Sequence, residues 1–325
     1  MNPEQRYERH KTSVEKYLRS FITDHKPQTL YSPAKYVLVA GGKRIRPVLT
    51  LLACEAVGGD ASTALHAGAG IEILHNFTLV HDDIMDHADT RRGRLTVHKK
   101  WDENVAILSG DALLAFAYRA LLRTKSTRIQ EVSKIFTEGV VTICEGQSLD
   151  KEFETRHRVH VNEYLMMIEK KTGKLVSIAA QIGALIGNAS ASDLEALRRY
   201  GEYVGRAFQI QDDLLDITAD EKEFGKTIGG DLVEGKKTFL LLEALRRAKG
   251  DQKKMLQRIF TNGGVPRKQV PAFRLIYEET GAIESAQKRI ENDIMDAKNQ
   301  LSMLPASPAR ETLRWMTDKL LNRKF

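Results

Sequence analysis

Apolar residues recur at helical spacing along almost the whole chain. The series Leu175, Ile178 and Ile182 is typical, whereas alternation with a period of two is hard to find. The pattern therefore predicts an all-α protein. The predicted helices cover residues 4–24, 47–57, 61–87, 103–123, 129–154, 161–187, 192–219, 237–247, 252–260, 267–279, 282–303 and 307–322.

Glycine pairs mark the breaks between these predicted helices. The pairs lie at 41–42, 58–59, 229–230 and 263–264. Ser190 and Ser307 stand where helix N-caps are expected. No stretch rich in Pro, Gly or Ser and no block of charge has the composition of a linker, so we expect one domain over residues 1–325.

Composition narrows the class of protein. With 29% charged and 42% hydrophobic residues, the 325-residue chain is globular, which excludes a disordered or collagen-like protein. The first residues are polar and lack the apolar core of a signal peptide, and no run of about 18 apolar residues occurs. We therefore expect a cytoplasmic protein with no transmembrane segment. Cys54 and Cys144 lack a CxxC spacing, so neither a disulfide nor a zinc site is expected.

The net charge of +7 raises the question of an anionic partner, since 50 Lys plus Arg stand against 43 Asp plus Glu. Nucleic acid, anionic lipid and phosphorylated small molecules are all compatible with a basic chain. A helical nucleic-acid-binding protein uses its charge through a continuous basic face, and no basic stripe with interleaved aromatic residues occurs here. Nucleic acid is therefore not an expected partner.

The pentapeptide DDxxD occurs twice, at 82–86 and at 212–216. On a helix its first and fifth positions lie one turn apart on the same face, where their carboxylates repel each other. Magnesium offsets such repulsion, because it binds one or two protein carboxylates and takes its other ligands from water and substrate phosphates. Solvated surface charge is the alternative, but both copies follow apolar sequence, which favours an interior cavity. The candidate metal ligands are Asp82, Asp83, Asp86, Asp212 and Asp216.

Two basic segments in the first third of the chain suit phosphate groups. The first reads GGKRIRP at 41–47, and Pro47 is expected as the first helical residue. Lys43 and Arg46 then lie close to a helix N-terminus, where an anion is favoured. An exposed basic turn is the alternative. In the second segment, adjacent Arg91 and Arg92 lie in a predicted loop and can serve two different phosphate groups.

Two further motifs have more than one interpretation. Residues 225–238 read GKTIGGDLVEGKKT and suit a lid that closes over phosphate, whereas a nucleotide P-loop is excluded because the upstream glycine spacing and the preceding strand are absent. The dipeptide His81-Asp82 is similar to the HD signature of helical metal phosphohydrolases, with His75 as a second ligand. That hypothesis leaves the second DDxxD without a role.

Taken together, the motifs resemble those of trans-isoprenyl diphosphate synthases, the head-to-tail prenyltransferases that make geranyl, farnesyl, geranylgeranyl and longer diphosphates. The matching segments are GGKRIRP at 41, HDDIMDHADTRRG at 81, GDALLAFAY at 110, CEGQSLD at 144, KKTGKL at 170, FQIQDDLLD at 208 and GKTIGGDLVEGKKT at 225. The resemblance implies a single polyprenyl synthase domain with the isoprenoid synthase fold, a bundle of helices around a large central cavity. It also implies a homodimer that uses Mg²⁺, with three ions in each active site.

The same resemblance implies a role for each candidate residue. Residues similar to an isopentenyl diphosphate site are Lys43, Arg46, His75 and Arg92. Residues similar to contacts of the allylic diphosphate, which is dimethylallyl, geranyl or farnesyl diphosphate, are Arg91, Lys171, Thr172, Gln209, Lys226 and Lys236. Asp82, Asp86 and Asp212 resemble direct metal ligands, and Asp83 and Asp216 resemble supporting residues. The residues implied in catalysis are Lys171, Thr172 and Gln209.

Product length is the last inference from the sequence. Phe77 and Thr78 precede Asp82 by five and four residues, so Phe77 is expected about one turn below the metal site, as the floor of a tail cavity. This combination resembles archaeal-type geranylgeranyl diphosphate synthases and implies a C20 product. A farnesyl diphosphate synthase and a bifunctional C15/C20 synthase stay open. A class I terpene cyclase is disfavoured because the second metal motif repeats the first, and a noncatalytic partner subunit because both motifs are intact.

Overall fold

Helices form almost the whole of the described chain, which comprises residues 1–22, 25–219 and 228–321 of a computed structural model. This confirms the predicted all-α fold class. The α-helices are α1 (Pro3–Phe21), α2 (Gln28–Leu38), α3 (Ile45–Ala56), α4 (Ala61–Met85), α5 (Val97–Lys100), α6 (Glu103–Leu121), α7 (Ile129–Thr155), α8 (Val161–Ile168), α9 (Lys174–Ile186), α10 (Ala191–Thr218), α11 (Gly230–Val233), α12 (Phe239–Arg247), α13 (Gly250–Asn262), α14 (Val270–Glu279), α15 (Ala282–Ser302) and α16 (Pro308–Leu321). A π-helical segment (Glu169–Gly173) joins α8 to α9, and a 3-10 segment (Arg267–Gln269) leads into α14.

Two helices near the N-terminus differ from the prediction. The apolar pattern does not predict α2, because Pro33 lies inside it and an internal proline removes a backbone donor. Helix α3 begins at Ile45, so the prediction that Pro47 is the first helical residue is wrong. The N-cap is Arg44, whose left-handed backbone (φ 53°) turns the chain and whose carbonyl accepts from the N–H of Val48.

The predicted loop after the first aspartate motif contains a short β-hairpin. Strand β1 (Thr90–Arg91) pairs antiparallel with β2 (Arg94–Leu95). The connecting residues Arg92 and Gly93 both have positive φ, 54° and 71°. Two successive positive φ values match the right-handed twist of the flanking strands. The hairpin therefore holds Arg91 and Arg92 on a defined turn shortly after α4.

Side-chain caps start two helices where the sequence predicts them. The Ser190 hydroxyl accepts from the N–H of Asp193 at 3.2 Å, and the Ser307 hydroxyl accepts from the N–H of Arg310 at 3.1 Å. Each bond satisfies an amide group that the first helical turn leaves without an intrahelical partner. The predicted starts of α10 and α16 are thereby confirmed.

The described residues form two compact units. The first unit comprises Met1–Thr137, Ile178–Arg198 and Leu301–Trp315. Within it, α4 packs against α3 and α6, and Leu52, Leu74 and Leu113 from these three helices are fully buried. Burial of a large apolar side chain stabilises by about 1.5–3 kcal/mol, and here it holds the helix that carries the first aspartate motif.

The second unit comprises Glu138–Ser177, Arg199–Gln300 and Met316–Phe325, of which residues 220–227 and 322–325 are not described. Tyr200 and Tyr277 are fully buried in it. Ile210, on the helix that carries the second aspartate motif, is also fully buried. Both motifs therefore begin on helices anchored by apolar packing. The single domain over 1–325 stays a prediction.

One described helix, α6, is long and apolar enough to cross a membrane when judged by length and composition alone. Its most apolar window is 44% buried, and core helices of soluble proteins meet the same criterion. Both cysteines are free thiols: Cys54 is buried on α3 and Cys144 is exposed on α7.

Candidate active site

The first aspartate motif lies at the carboxyl end of α4. Asp82 is half-buried on the last turn, and Asp86 is the exposed C-cap residue. The N–H of Asp86 donates to the carbonyl of Asp82 at 2.8 Å. The first and fifth residues of the motif therefore lie one helical turn apart, as their spacing predicts.

Asp83, the second residue of this motif, is buried and pairs with the β-hairpin. Its Oδ1 accepts from Nε of Arg91 at 2.5 Å. Burial raises the pKa of Asp83, and the guanidinium of Arg91 opposes that rise. A small cavity of about 40 Å³ adjoins the pair, and its lining includes Asn76 and Arg92. Asp83 thus orients Arg91, and its support of a metal network stays a prediction.

Arg44 anchors the glycine-bearing loop before α3. Its guanidinium donates to Oε1 of Glu72 at 2.6 Å and to the carbonyl of Leu38 at 2.7 Å, and the residue is only 4% exposed. A buried arginine satisfied in this way is a structural group, because its charge is already paired. Lys43 of this loop and Arg46, on the first turn of α3, therefore stay the candidate anion ligands.

Residues predicted for the isopentenyl diphosphate site converge on this loop. Nη1 of Arg46 lies 3.2 Å from Nε2 of His75, and Nη1 of Arg92 donates to the carbonyl of Gly41 at 2.7 Å. Because a guanidinium has only donors, Nε2 of His75 accepts and the imidazole is neutral. Burial, followed by the guanidinium of Arg46, holds the pKa of His75 well below its usual value of 6.5.

These side chains form what we term the first-unit cluster. It consists of Lys43, Arg46, His75, Arg91 and Arg92. Burial is the main cause that lowers the pKa of Arg92, and the nearby guanidinium of Arg44 adds to it. Crowded, partly desolvated cations favour an anion with several oxygens, because each oxygen accepts charge-assisted hydrogen bonds. The cluster is therefore suited to a diphosphate.

The second aspartate motif lies near the carboxyl end of α10. Asp212 and Asp216 are half-buried and lie one turn apart. Oδ2 of Asp216 accepts from the backbone N–H of Asp231, in α11, at 3.1 Å. Burial raises the pKa of Asp231, and the carboxylate of Asp216 adds to that rise. A carboxylate from outside the motif thus stands beside it.

Asp213 ties the predicted catalytic residues to this motif. The Tyr164 hydroxyl and Nε2 of Gln209 (3.1 Å) both donate to its carboxylate, and the N–H of Phe239 adds a longer bond of 3.4 Å. The Thr172 hydroxyl in turn donates to Oε1 of Gln209 at 3.0 Å. Thr172, Gln209 and Asp213 therefore form one hydrogen-bonded chain, which fixes the orientation of the Gln209 amide.

The predicted helix over 161–187 is confirmed, but it contains a π-helical segment that the sequence pattern does not predict. Residues Glu169–Gly173 form a π-helical segment, and it carries Lys171 and Thr172. A Cβ at Gly146 of α7 would lie 2.7 Å from Cα of Lys171, so only glycine permits this close approach. Nζ of Lys171 donates to Oδ2 of Asp150, also on α7, at 2.6 Å. Packing against α7 therefore holds the π-helical segment with Lys171 and Thr172, and a single-sequence pattern does not reveal such packing.

Adjacent lysines at 236 and 237 have different environments. Lys237 is 8% exposed, and its ammonium donates to the carbonyls of Phe153 and Glu154 in the last turn of α7. Lys236 is half-exposed, and its Nζ lies 3.6 Å from a carboxylate oxygen of Asp231. The structure thus places Lys236, which is predicted to contact the allylic diphosphate, beside Asp231. Lys226, the other lysine predicted here, lies outside the described residues.

The acidic residues are compatible with magnesium held by few protein ligands. Among residues 1–22, 25–219 and 228–321, no three His, Cys, Asp or Glu side chains converge on one point. Magnesium does not need such a group, because it binds through one or two carboxylates plus substrate phosphates. Burial raises the pKa of Asp213 and Asp216, a rise that a nearby divalent cation opposes. The roles of Asp82, Asp86 and Asp212 as metal ligands, with Asp83 and Asp216 in support, stay a prediction.

The residues predicted to limit product length are on α4. Phe77 is 9% exposed, and its ring meets that of His81 edge-on at 4.8 Å between centroids. Thr78 is half-buried, and its hydroxyl donates to the carbonyl of His75 at 2.9 Å. Phe77 is thus supported from one side by another ring. Its role as a floor stays a prediction.

The chain is similar in sequence to known proteins. The family model for polyprenyl synthetase matches residues 27–275. The chain belongs to the polyprenyl synthetase family. The short chain isoprenyl diphosphate synthase of Methanothermobacter thermautotrophicus is 42% identical over 308 residues, which cover 94% of each chain. The geranylgeranyl diphosphate synthase of Methanosarcina mazei is 39% identical over 302 residues, 92% of this chain and 91% of that protein.

The fold agrees with that membership. The crystal structure of geranylgeranyl pyrophosphate synthetase from Pyrococcus horikoshii Ot3 matches with a TM-score of 0.94 at 36% identity, covering 99% of both chains. This polyprenyl synthetase chain therefore has the fold of a solved structure of similar sequence.

Sequence reasoning missed several residues that build the site of this polyprenyl synthetase. Asp150 and Asp231 stand inside the quoted motifs CEGQSLD and GGDLVEGKKT, but the motif letters do not show which side chain they meet. Tyr164 lies outside every motif. Its partner Asp213 is 49 residues away along the chain, so only the folded structure brings the two together.

Proposed function

We propose that this chain condenses isopentenyl diphosphate with allylic diphosphates, head to tail, and makes geranylgeranyl diphosphate (C20) in a magnesium-dependent reaction. The observation that carries the proposal is the first-unit cluster, in which Arg46, Arg92 and neutral His75 surround the loop before α3. The guanidinium groups of Arg46 and Arg92, held in place in this way, suit a diphosphate.

The proposed reaction is an electrophilic substitution. The allylic C–O bond breaks, and the diphosphate leaves with the bonding electrons. The double bond of isopentenyl diphosphate attacks the allylic carbocation, and the new cation loses a proton to the departed diphosphate. Bound Mg²⁺ would supply positive charge to the leaving group. No acidic or basic side chain has to change its charge in this scheme.

The protein side chains contribute fixed charge and orientation. We propose that Lys43, Arg46, His75 and Arg92 hold isopentenyl diphosphate, and that Arg91, Lys171, Thr172, Gln209, Lys226 and Lys236 hold the allylic diphosphate. The hydrogen bond from Thr172 to Gln209 supports this proposal, since it fixes the orientation of the hydroxyl and of the amide. Neither dipole then has to reorient during the reaction. The ion pair with Asp83 fixes the orientation of the Arg91 guanidinium in the same way.

The C20 product is supported by the Methanosarcina mazei and Pyrococcus horikoshii proteins, both named geranylgeranyl diphosphate synthases. The burial of Phe77 one turn before the first motif agrees with a floor for a tail of limited length. Farnesyl diphosphate synthase and a bifunctional C15/C20 synthase are the second candidates, because the Methanothermobacter thermautotrophicus relative is named only a short chain synthase.

A homodimer in the cytoplasm completes the proposal. Helix α6 leaves apolar side chains exposed on one face: Ile107 is 41% and Leu108 is 60% exposed, and Leu122 at its end is 61% exposed. Uncovered apolar side chains on one helix are suited to a contact with a second copy of the chain. Light scattering of the purified protein measures its mass in solution directly.

The function is tested by incubating purified protein with isopentenyl diphosphate and each allylic starter, with Mg²⁺ or with a chelator. Chromatography of the dephosphorylated products is expected to show C20 with Mg²⁺ and no product with the chelator. Asp82→Asn and Asp212→Asn are expected to abolish product formation. Asp251→Asn, at an exposed carboxylate on α13, is the matched control and should leave it unchanged. Inactive folded protein with every starter would overturn the proposal.

A further inference from the structure

The N-terminal helix contributes a hydrogen bond to the loop that carries Lys43 and leads into α3, the helix of Arg46. The hydroxyl of Tyr7, on α1, donates to the backbone carbonyl of Lys43. Tyr7 is 9% exposed, and its ring lies 5.7 Å from that of Trp315. The hydroxyl therefore reaches the loop from a side chain that is itself held by packing. Tyr7 lies outside every motif of the sequence.

The loop depends on such contacts because its backbone is irregular. Gly41, Gly42 and Arg44 all have positive φ, and the chain from 41 to 44 belongs to no helix or strand. Arg92 holds the loop at the Gly41 carbonyl (2.7 Å), and the Arg44 side chain holds it against Glu72 (2.6 Å). Tyr7 supplies the third attachment, at residue 43.

Each attachment reaches a different place. The Arg92 and Arg44 contacts lie on the two sides of Lys43, while the Tyr7 hydroxyl bonds to Lys43 itself. The backbone of Lys43 is fixed before any anion binds. Less conformational entropy is therefore lost when the long Lys43 side chain binds that anion. Burial raises the pKa of Tyr7, so the phenol stays protonated and remains a donor at neutral pH.

We propose that Tyr7 is a positioning residue, which sets the affinity for isopentenyl diphosphate by fixing the backbone of Lys43. It touches no substrate in this scheme and acts only through the main chain of the loop. The inference rests on the proposed function, because it assigns the Lys43 loop to that diphosphate. It concerns α1, which carries none of the diphosphate or metal ligands.

Tyr7→Phe removes the hydroxyl and keeps the ring. Loss of one buried hydrogen bond is expected to raise KM for isopentenyl diphosphate about three- to tenfold, with kcat and KM for the allylic substrate within about twofold of wild type. Tyr17→Phe is the matched control, because Tyr17 lies on the same helix and its buried hydroxyl has no hydrogen-bond partner among the described residues. The control should leave all three constants unchanged.

Two results would overturn the inference. One is a KM for isopentenyl diphosphate in Tyr7→Phe equal to that of Tyr17→Phe. The other is a change in kcat and in both KM values together, which indicates a general disturbance of the structure. If wild-type protein lacks activity, the proposed function fails separately. Calorimetric titration with inorganic diphosphate then decides on Tyr7, since weaker binding to Tyr7→Phe than to Tyr17→Phe is expected and equal binding refutes it.

Discussion

The hydroxyl of Tyr164 donates a hydrogen bond to the buried carboxylate of Asp213. Asp213 follows the first residue of the second aspartate motif and accepts two further bonds, from Gln209 and from the backbone of Phe239. The bond from Tyr164 is therefore one of three that anchor α10 just where it presents Asp212. Two residues of one motif thus have different surroundings. Asp213 is buried and hydrogen-bonded within the protein, whereas Asp212 is half-buried at the candidate metal site.

We expect Tyr164→Phe to lower the free energy of unfolding by about 1–3 kcal/mol, because a buried acceptor loses its donor. Chemical denaturation followed by circular dichroism measures this change. Tyr277→Phe is the matched control, since the Tyr277 hydroxyl is also buried but has no hydrogen-bond partner within the described part of the chain. A loss of stability in Tyr277→Phe as large as that in Tyr164→Phe would contradict the assignment.

The two adjacent lysines should separate stability from activity. Lys237→Met is expected to cost about 1–3 kcal/mol of stability, because the carbonyls of Phe153 and Glu154 lose their donor. Lys236→Met should change stability by less than about 0.5 kcal/mol, since its ion pairs are half-exposed. It should instead lower kcat/KM for the allylic diphosphate at least about tenfold.

Denaturation and steady-state kinetics on the same two preparations check this pair. The expected pattern is a crossed one, in which each variant is defective in only one of the two measurements. If Lys237→Met kept full stability while Lys236→Met unfolded, the assignment of the two side chains would be reversed.

Phe77→Ala should lengthen the product. Truncation of a large ring at the expected floor leaves room for at least one more isoprene unit, so we expect products beyond C20 by chromatography. The matched control is Phe21→Ala on α1, because Phe21 is 7% exposed and loses a similar volume. An unchanged product distribution in Phe77→Ala would argue against a floor at this position.

His75 should make the stability of the ligand-free protein depend on pH. Its pKa lies well below 6.5 in the folded chain, so the unfolded chain binds more protons as the pH falls through about 6.5. Stability contributed by neutral His75 is therefore present above that pH and decreases below it. His75→Gln keeps an acceptor for Arg46 and does not titrate, so its melting temperature should fall less between pH 7 and pH 5.

Melting curves at several pH values measure that difference. His157→Gln, at an exposed histidine in the loop after α7, is the control and should follow the wild-type profile. If wild type and His75→Gln lost the same number of degrees on acidification, the neutral state of His75 would contribute nothing to stability.

Local features of this protein could be predicted without the structure. The DDxxD spacing alone places Asp82 and Asp86 one turn apart, because helical periodicity is a local property of the backbone. The serine caps at 190 and 307 could also be predicted, because a cap bonds to an amide only three residues away. Helix α2 was not predicted, because the helix propensity of Pro33 is very low. Tertiary packing of the segment outweighs that preference.

The sequence by itself determined the all-α class, the two carboxylate pairs and the basic segments that accompany them, all of which depend on residues within a few positions of each other. Only the tertiary structure decided which neighbours act together: Arg46 with His75, Asp83 with Arg91, Lys237 with the end of α7, and Tyr7 with the Lys43 carbonyl. The physical reason is that burial and hydrogen bonding between distant segments depend on how helices pack, and helix packing is set by the whole chain at once.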